Sequence, residues 1–153
     1  GMGGGLCNLA NTINLLVLHS PLEITEFHTH SDALAPDDGE RIPLKDGTCV
    51  GYNYIDYRFK NNTDQDIQLL LWVENKTLYG ELRSQNSFPW KYEIIEENHH
   101  FQKEGENYYR VSKIYQNKIL KENNELLEKK LIWDNHSKVM YDYNLIPKEY
   151  IKQ

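Results

Sequence analysis

The residues best suited to chemistry in this chain are one cysteine and two histidines near the amino terminus. Cys7 follows three consecutive glycines, and His28 and His30 are separated by a single residue. A cysteine in the first turn of a helix meets unpaired backbone N–H groups and the positive end of the helix dipole, which favour a thiolate. An imidazole within reach of that thiol could act as its general base. The residue types therefore favour a reactive cysteine–histidine site.

Polar neighbours could complete this site. Glu26 lies two residues before His28, on the same side of an extended strand, so its carboxylate could accept an imidazole N–H. Asn11 lies one helical turn after Cys7. Backbone N–H groups of the glycine loop and of Asn8 could stabilise an oxyanion. The predicted catalytic residues are Cys7, His28, His30 and Glu26, and the predicted binding residues are Gly3, Gly4, Gly5, Asn8 and Asn11.

Two other interpretations of these residues are open. Cys7, His28 and His30 could supply a His₂Cys set for zinc with one open position, but their spacing matches no compact zinc signature. We therefore expect no cofactor and no metal. A cysteine on an amphipathic helix can also be a buried, unreactive core residue.

A helix and the strand that follows it would position the site. Apolar residues recur at helical spacing and predict a helix over about residues 6–18. Residues 22–30 alternate, and they predict a strand whose last positions include the two histidines. If this strand packs antiparallel to the helix, His28 returns to the level of Cys7, because the two elements are of similar length.

The middle of the chain carries β-strand signals. Residues 31–48 are rich in turn residues and predict a loop that could cover the site. Residues 49–60 predict a bulged strand. Residues 67–73 form a continuous apolar run typical of a buried strand, and residues 77–83 predict the next strand. The aromatic side chains of this region and just beyond it are interpreted as core and sheet surface: Tyr52, Tyr54, Tyr57, Phe59, Trp72, Tyr79, Trp90 and Tyr92.

The carboxyl-terminal part of the chain predicts long β-hairpins. Strands are expected over residues 90–102, 107–120 and 126–133, with turns rich in charged residues, Asn and Gly between them. The tail from residue 144 is expected to fray.

Together these elements predict an α+β fold. One N-terminal helix packs on a mostly antiparallel β-sheet, with a C-terminal β-hairpin extension. A chain of 153 residues is of single-domain size. We expect a core over residues 1–85 and an extension of the same domain over residues 86–153.

Composition narrows the class of partner. A net charge of −6 and a pI near 5.5 argue against a nucleic-acid partner, because phosphate binding requires a basic surface. The sequence contains no run of about 18 apolar residues, so no transmembrane segment is predicted. Two cysteines cannot form a multi-bridge disulfide scaffold, and a single disulfide between Cys7 and Cys49 stays open.

Several segments of the chain resemble the VanW family, which is named for an accessory gene product of certain glycopeptide-resistance clusters. They are residues 1–7 (GMGGGLC), 26–31 (EFHTHS), 52–64 and 80–84. Family members commonly have Gln after the cysteine, where this chain has Asn8. The resemblance implies a context of vancomycin resistance and the cell wall. It also implies further sequence upstream, so an N-terminally truncated core is expected.

Two functions from different classes follow. The first is a Cys–His hydrolase or transpeptidase acting on cell-wall peptide or a peptidoglycan precursor, with Cys7 as nucleophile and His28 or His30 as general base. The second is a non-catalytic binding module for peptidoglycan fragments or for an envelope protein. Both the bacterial cytoplasm and the cell envelope are compatible compartments.

Overall fold

The computed structural model describes residues 2–29, 32–37, 42–44 and 56–152, and within these residues the chain is mainly β. Its α-helix is α1 (Met2–Leu18). The short turns of 3-10 helix are Tyr143–Leu145 and Lys148–Tyr150. The strands are β1 (Glu23–Glu26), β2 (Asp32–Ala33), β3 (Arg58–Lys60), β4 (Ile67–Glu74), β5 (Thr77–Ser84), β6 (Trp90–Glu104), β7 (Asn107–Leu120), β8 (Leu126–Val139) and β9 (Ile151–Lys152).

The predicted α+β class, with a helix on one mostly antiparallel sheet, is wrong. The described strands form three separate sheets: β1 with β3, β4 with β5, and a five-stranded sheet. The hairpin of β4 and β5 does not extend the larger sheet, because it packs against α1 instead. The fold is therefore a mainly β structure with a single substantial helix among the described residues.

The five-stranded sheet has the order β2-β8-β7-β6-β9. Its three long strands are antiparallel and lie where the sequence predicts strands, whereas β2 and β9 add parallel pairs at the two edges. Gly105, with φ of 64°, turns the chain between β6 and β7 at a hairpin position that favours glycine.

The carboxyl-terminal tail is ordered, which corrects the expectation that it frays. Ile146 is buried in a core cluster with Ala33, Phe101 and Val139. Ile151 packs against the same cluster, and β9 pairs with β6. Burial of these isoleucines stabilises the tail by removing apolar surface from water.

Helix α1 begins at Met2, and not near residue 6 as predicted, so the glycines lie inside the helix. Its carboxyl-terminal end packs on the five-stranded sheet, where Leu18 joins Leu44 and Ile114 in a second buried cluster. Gln116 Nε2 donates a hydrogen bond of 2.6 Å to the carbonyl oxygen of Leu18. This bond satisfies one of the carbonyls that a helix leaves unpaired at its end.

The β4–β5 hairpin packs against the second half of α1 through Gly80. A Cβ atom at Gly80 would lie 2.7 Å from Leu16 Cδ1 and 3.3 Å from Thr12 Cγ2. The absence of a side chain therefore allows the strand to approach the helix closely. Because α1 covers only one face of the hairpin, the prediction of a buried strand over residues 67–73 is wrong. Trp72, on the uncovered face, is 42% exposed.

We expect Gly80→Val to lower the free energy of unfolding by about 1–3 kcal/mol, because the added methyl groups overpack the contact with Leu16 and Thr12. Gly5→Ala is the matched control, since a Cβ at Gly5 meets nothing within 4 Å. We expect this exposed helical position to gain up to about 1 kcal/mol from alanine. Urea denaturation measures both changes, and equal effects from the two substitutions would contradict the close contact at Gly80.

Candidate functional site

Cys7 is half-buried and lies in the second turn of α1. The first four N–H groups of a helix lack intrahelical partners, and those of Cys7 and Asn8 come after them. The predicted oxyanion site required a glycine loop and the backbone N–H of Asn8. In the structure the glycines and Asn8 are helical, so the predicted loop conformation is not adopted. The side chain of Asn8 is exposed, and that of Asn11 is buried. A reactive role for Cys7 stays a prediction.

His28 lies beyond the end of β1, which stops at Glu26. Its Nε2 donates a hydrogen bond of 3.0 Å to Glu26 Oε1, which is the contact expected from their spacing. Glu26 also pairs with Arg58, whose Nε lies 3.1 Å from Glu26 Oε2. A second carboxylate, that of Asp56, lies 2.7 Å from the same guanidinium. These groups form a solvent-exposed network of charges at the edge of the β1–β3 sheet.

His30 and Cys49 lie outside the described residues. The arrangement of Cys7 with both histidines, and the zinc alternative built on them, therefore stay predictions. Within the described part of the chain, no group of three or more His, Cys, Asp or Glu residues is placed to hold a metal ion.

A buried polar contact fixes the middle of α1 to the segment before β3. The Tyr57 hydroxyl donates a hydrogen bond of 3.0 Å to Asn14 Oδ1, and Asn14 is fully buried. Burial raises the pKa of Tyr57 well above its ordinary value of 10, so the hydroxyl remains protonated and able to donate. Asn14 Nδ2 is buried with no hydrogen-bond partner among the described residues. This contact positions α1 and offers no reactive group to solvent.

His136 pairs with Glu104 on the surface of the five-stranded sheet. Its Nε2 donates a hydrogen bond of 2.6 Å to Glu104 Oε2. The His136 ring also stacks on Tyr109, with ring centroids 4.3 Å apart. The hydrogen bond from His136 lowers the pKa of Glu104 below its ordinary value of 4.5. His136 lies within β8.

The outward face of the β4–β5 hairpin presents two aromatic rings to solvent. Trp72 and Tyr79 are directly paired across the strands, and their rings stack with centroids 5.7 Å apart and planes 12° from parallel. Trp72 is 42% exposed and Tyr79 is 43% exposed. Of the two interpretations given to the aromatic residues, core and sheet surface, these two residues therefore belong to the sheet surface. Gln68 and Glu74 are polar, and strand alternation places both on the same face as Trp72. This alternation is the sequence signal that could have shown the exposure of Trp72.

A cleft lies at the open end of the hairpin, and Gln68 and Arg83 of the outward face contribute to its lining. The cleft is shallow and open to solvent, with a volume of about 570 Å³. Arg83, on its wall, donates from Nη2 to Glu81 Oε2 at 2.9 Å, so the guanidinium is held along the strand. The residues that line the cleft are Asp66, Ile67, Gln68, Arg83, Ser84 and Gln85.

This outward hairpin face, defined by Trp72 and Tyr79 together with the cleft, combines two kinds of recognition. Flat aromatic rings bind apolar or C–H-rich surfaces, because the face of a ring carries negative charge density. Amide, hydroxyl, guanidinium and carboxylate groups bind polar atoms. None of these groups is arranged as a nucleophile with its base, so the face is suited to binding.

Comparisons with known proteins identify relatives of this chain. Residues 1–83 match the family model described as VanW like protein. A curated relative, the Vancomycin B-type resistance protein VanW of Enterococcus faecalis (strain ATCC 700802 / V583), is 24% identical over 140 residues. That alignment covers 91% of this chain and 50% of the relative, so the chain spans about half of the relative's length. No solved structure matches the chain.

We expect His136→Ala to raise the pKa of Glu104 toward 4.5, because the substitution removes the hydrogen bond that stabilises the carboxylate. Since folding lowers this pKa, the pair stabilises the fold above the ordinary pKa of the carboxyl. That stability is lost as pH falls through the lowered value. An NMR titration of the Glu104 carboxyl measures the change. His19→Ala, at the distant end of α1, is the control, and an unchanged Glu104 pKa in His136→Ala would contradict the assignment.

Proposed function

This chain belongs to the VanW-like family, and from that premise we propose that it is a non-catalytic binding module for the peptidoglycan of the bacterial cell wall. The family match spans residues 1–83 and the curated relative is named for vancomycin resistance. A role in glycopeptide resistance would then depend on holding cell-wall material, and not on cleaving it. Within the described residues, no helix is long and apolar enough to cross a membrane.

The observation that carries this proposal is the outward hairpin face. Contiguous apolar patches on a protein surface, unlike scattered apolar residues, often mark interaction sites. Here Trp72 and Tyr79 are stacked against each other and remain exposed, near a cleft that Gln68 and Arg83 help to line. Preordered rings lose little conformational entropy on binding. The arrangement therefore supports a recognition surface.

The geometry supports the catalytic alternative less well. That alternative needs Cys7 at a helix start and backbone N–H donors from a glycine loop. The glycines are instead helical, and Cys7 lies one turn further in. His28 is exposed and hydrogen-bonded to Glu26, a contact that an ordinary surface pair would also make. The face of the hairpin offers a more complete set of groups for binding than this region does for catalysis.

We expect the chain to sediment with purified peptidoglycan sacculi. Trp72→Ala combined with Tyr79→Ala should lower the affinity by about tenfold or more, corresponding to roughly 1.4 kcal/mol or more for the loss of both rings. The amount of protein in the pellet, measured against sacculus concentration, gives the affinity.

Two controls define the outcome. Val73→Ala changes an exposed apolar residue of the same strand on the opposite face, and it should leave sedimentation unchanged. Cys7→Ser should bind sacculi as well as the unmodified chain does. Neither protein should release fragments. If the chain does not bind sacculi, or if Cys7→Ser alone abolishes a measurable release of fragments, the binding-module proposal is wrong.

A further inference from the structure

We propose that the outward hairpin face binds the glycan strand of peptidoglycan, a linear chain of N-acetylated sugars, and not the stem peptide. This inference rests on the proposed function and names the part of the cell wall that is recognised. It is drawn from the charges, the shape and the length of the face.

The charges on the face disfavour an acidic peptide. Arg83 is the single cation among the outward positions of β4 and β5, and it is already paired with Glu81 at 2.9 Å. Glu74 lies at the other end of the face, and Asp66 lines the cleft. A peptide that ends in a carboxylate would need an available cation or a nest of N–H groups. Neutral sugars need neither, and their hydroxyl groups can donate to these carboxylates.

The aromatic rings suit a pyranose. The face of a sugar ring that carries axial C–H bonds is flat and weakly positive, so it is attracted to the negative face of an aromatic ring. Trp72 and Tyr79 are exposed, and the planes of their stacked rings are 12° from parallel. The rings therefore offer stacking surfaces on an open face. An extended polymer can bind such a face, whereas it could not enter a deep pocket.

The polar groups lie in line with the rings. Gln68 and Trp72 project from the same strand four residues apart, a distance of about 13 Å along an antiparallel strand. Gln68 and Gln85 are exposed, and both line the cleft. Their amides can donate to and accept from the acetamido groups of a sugar. The span between the rings and the cleft accommodates more than one sugar unit, so the face fits an oligosaccharide and not a single sugar.

The test titrates the chain with chitotetraose, which has the N-acetylated sugar backbone and no peptide. A parallel titration uses the free pentapeptide L-Ala-D-Glu-L-Lys-D-Ala-D-Ala. We expect chitotetraose to shift the NMR signal of the Trp72 indole N–H and the amide signals of the hairpin, and the pentapeptide to leave them unchanged. Trp72→Ala should weaken chitotetraose binding by about fivefold to tenfold. Gln68→Ala should weaken it by a smaller factor, and Val73→Ala should not affect it.

Each outcome either supports or overturns the inference. Binding of the pentapeptide, or of neither probe, while sacculi still bind would overturn the glycan inference and leave the binding module intact. Chitotetraose binding that Trp72→Ala does not weaken would place the sugar elsewhere and overturn it as well. If the unmodified chain does not bind sacculi, the proposed function itself is wrong. Thermal unfolding of each variant shows that the hairpin remains folded.

Discussion

The rest of the described structure depends on the packing of α1 against two elements, the five-stranded sheet and the β4–β5 hairpin. At its end, Leu18 contacts the five-stranded sheet, and Gln116 satisfies the last carbonyl. In its second half, Thr12 and Leu16 approach the hairpin over Gly80. A two-stranded hairpin is marginally stable by itself in water. The hairpin therefore depends on the helix for its shape, and the helix depends on the sheet for its burial.

This dependence leaves one face of the hairpin in solvent. The residues that alternate with Gly80 point away from α1, and they include Trp72 and Tyr79. Exposed aromatic rings forgo the free energy that burial would provide. Stacking on each other recovers part of it and holds the rings in one orientation. The same geometry that anchors the hairpin thus creates its most distinctive exposed surface.

The residues of this surface lie almost entirely within the part of the chain that matches the family. The match ends at residue 83, so it includes α1, Gly80 and both aromatic rings. The long strands β6, β7 and β8 lie beyond it. The helix–hairpin unit is therefore the part of the structure that the family model covers, whereas the alignment with the curated relative covers 91% of the chain. The five-stranded sheet supplies the support on which that unit rests.

The sequence by itself determined the local structure of most of this chain. Alternation and turn residues located β4, β5 and the long strands, because these signals act over a few residues. Tertiary structure decided which faces are buried, since this depends on partners distant in the sequence. In the structure the glycines are part of α1, Trp72 is exposed to solvent, and the carboxyl-terminal tail pairs with β6. These outcomes depend on the free energy of long-range packing, which local patterns do not contain.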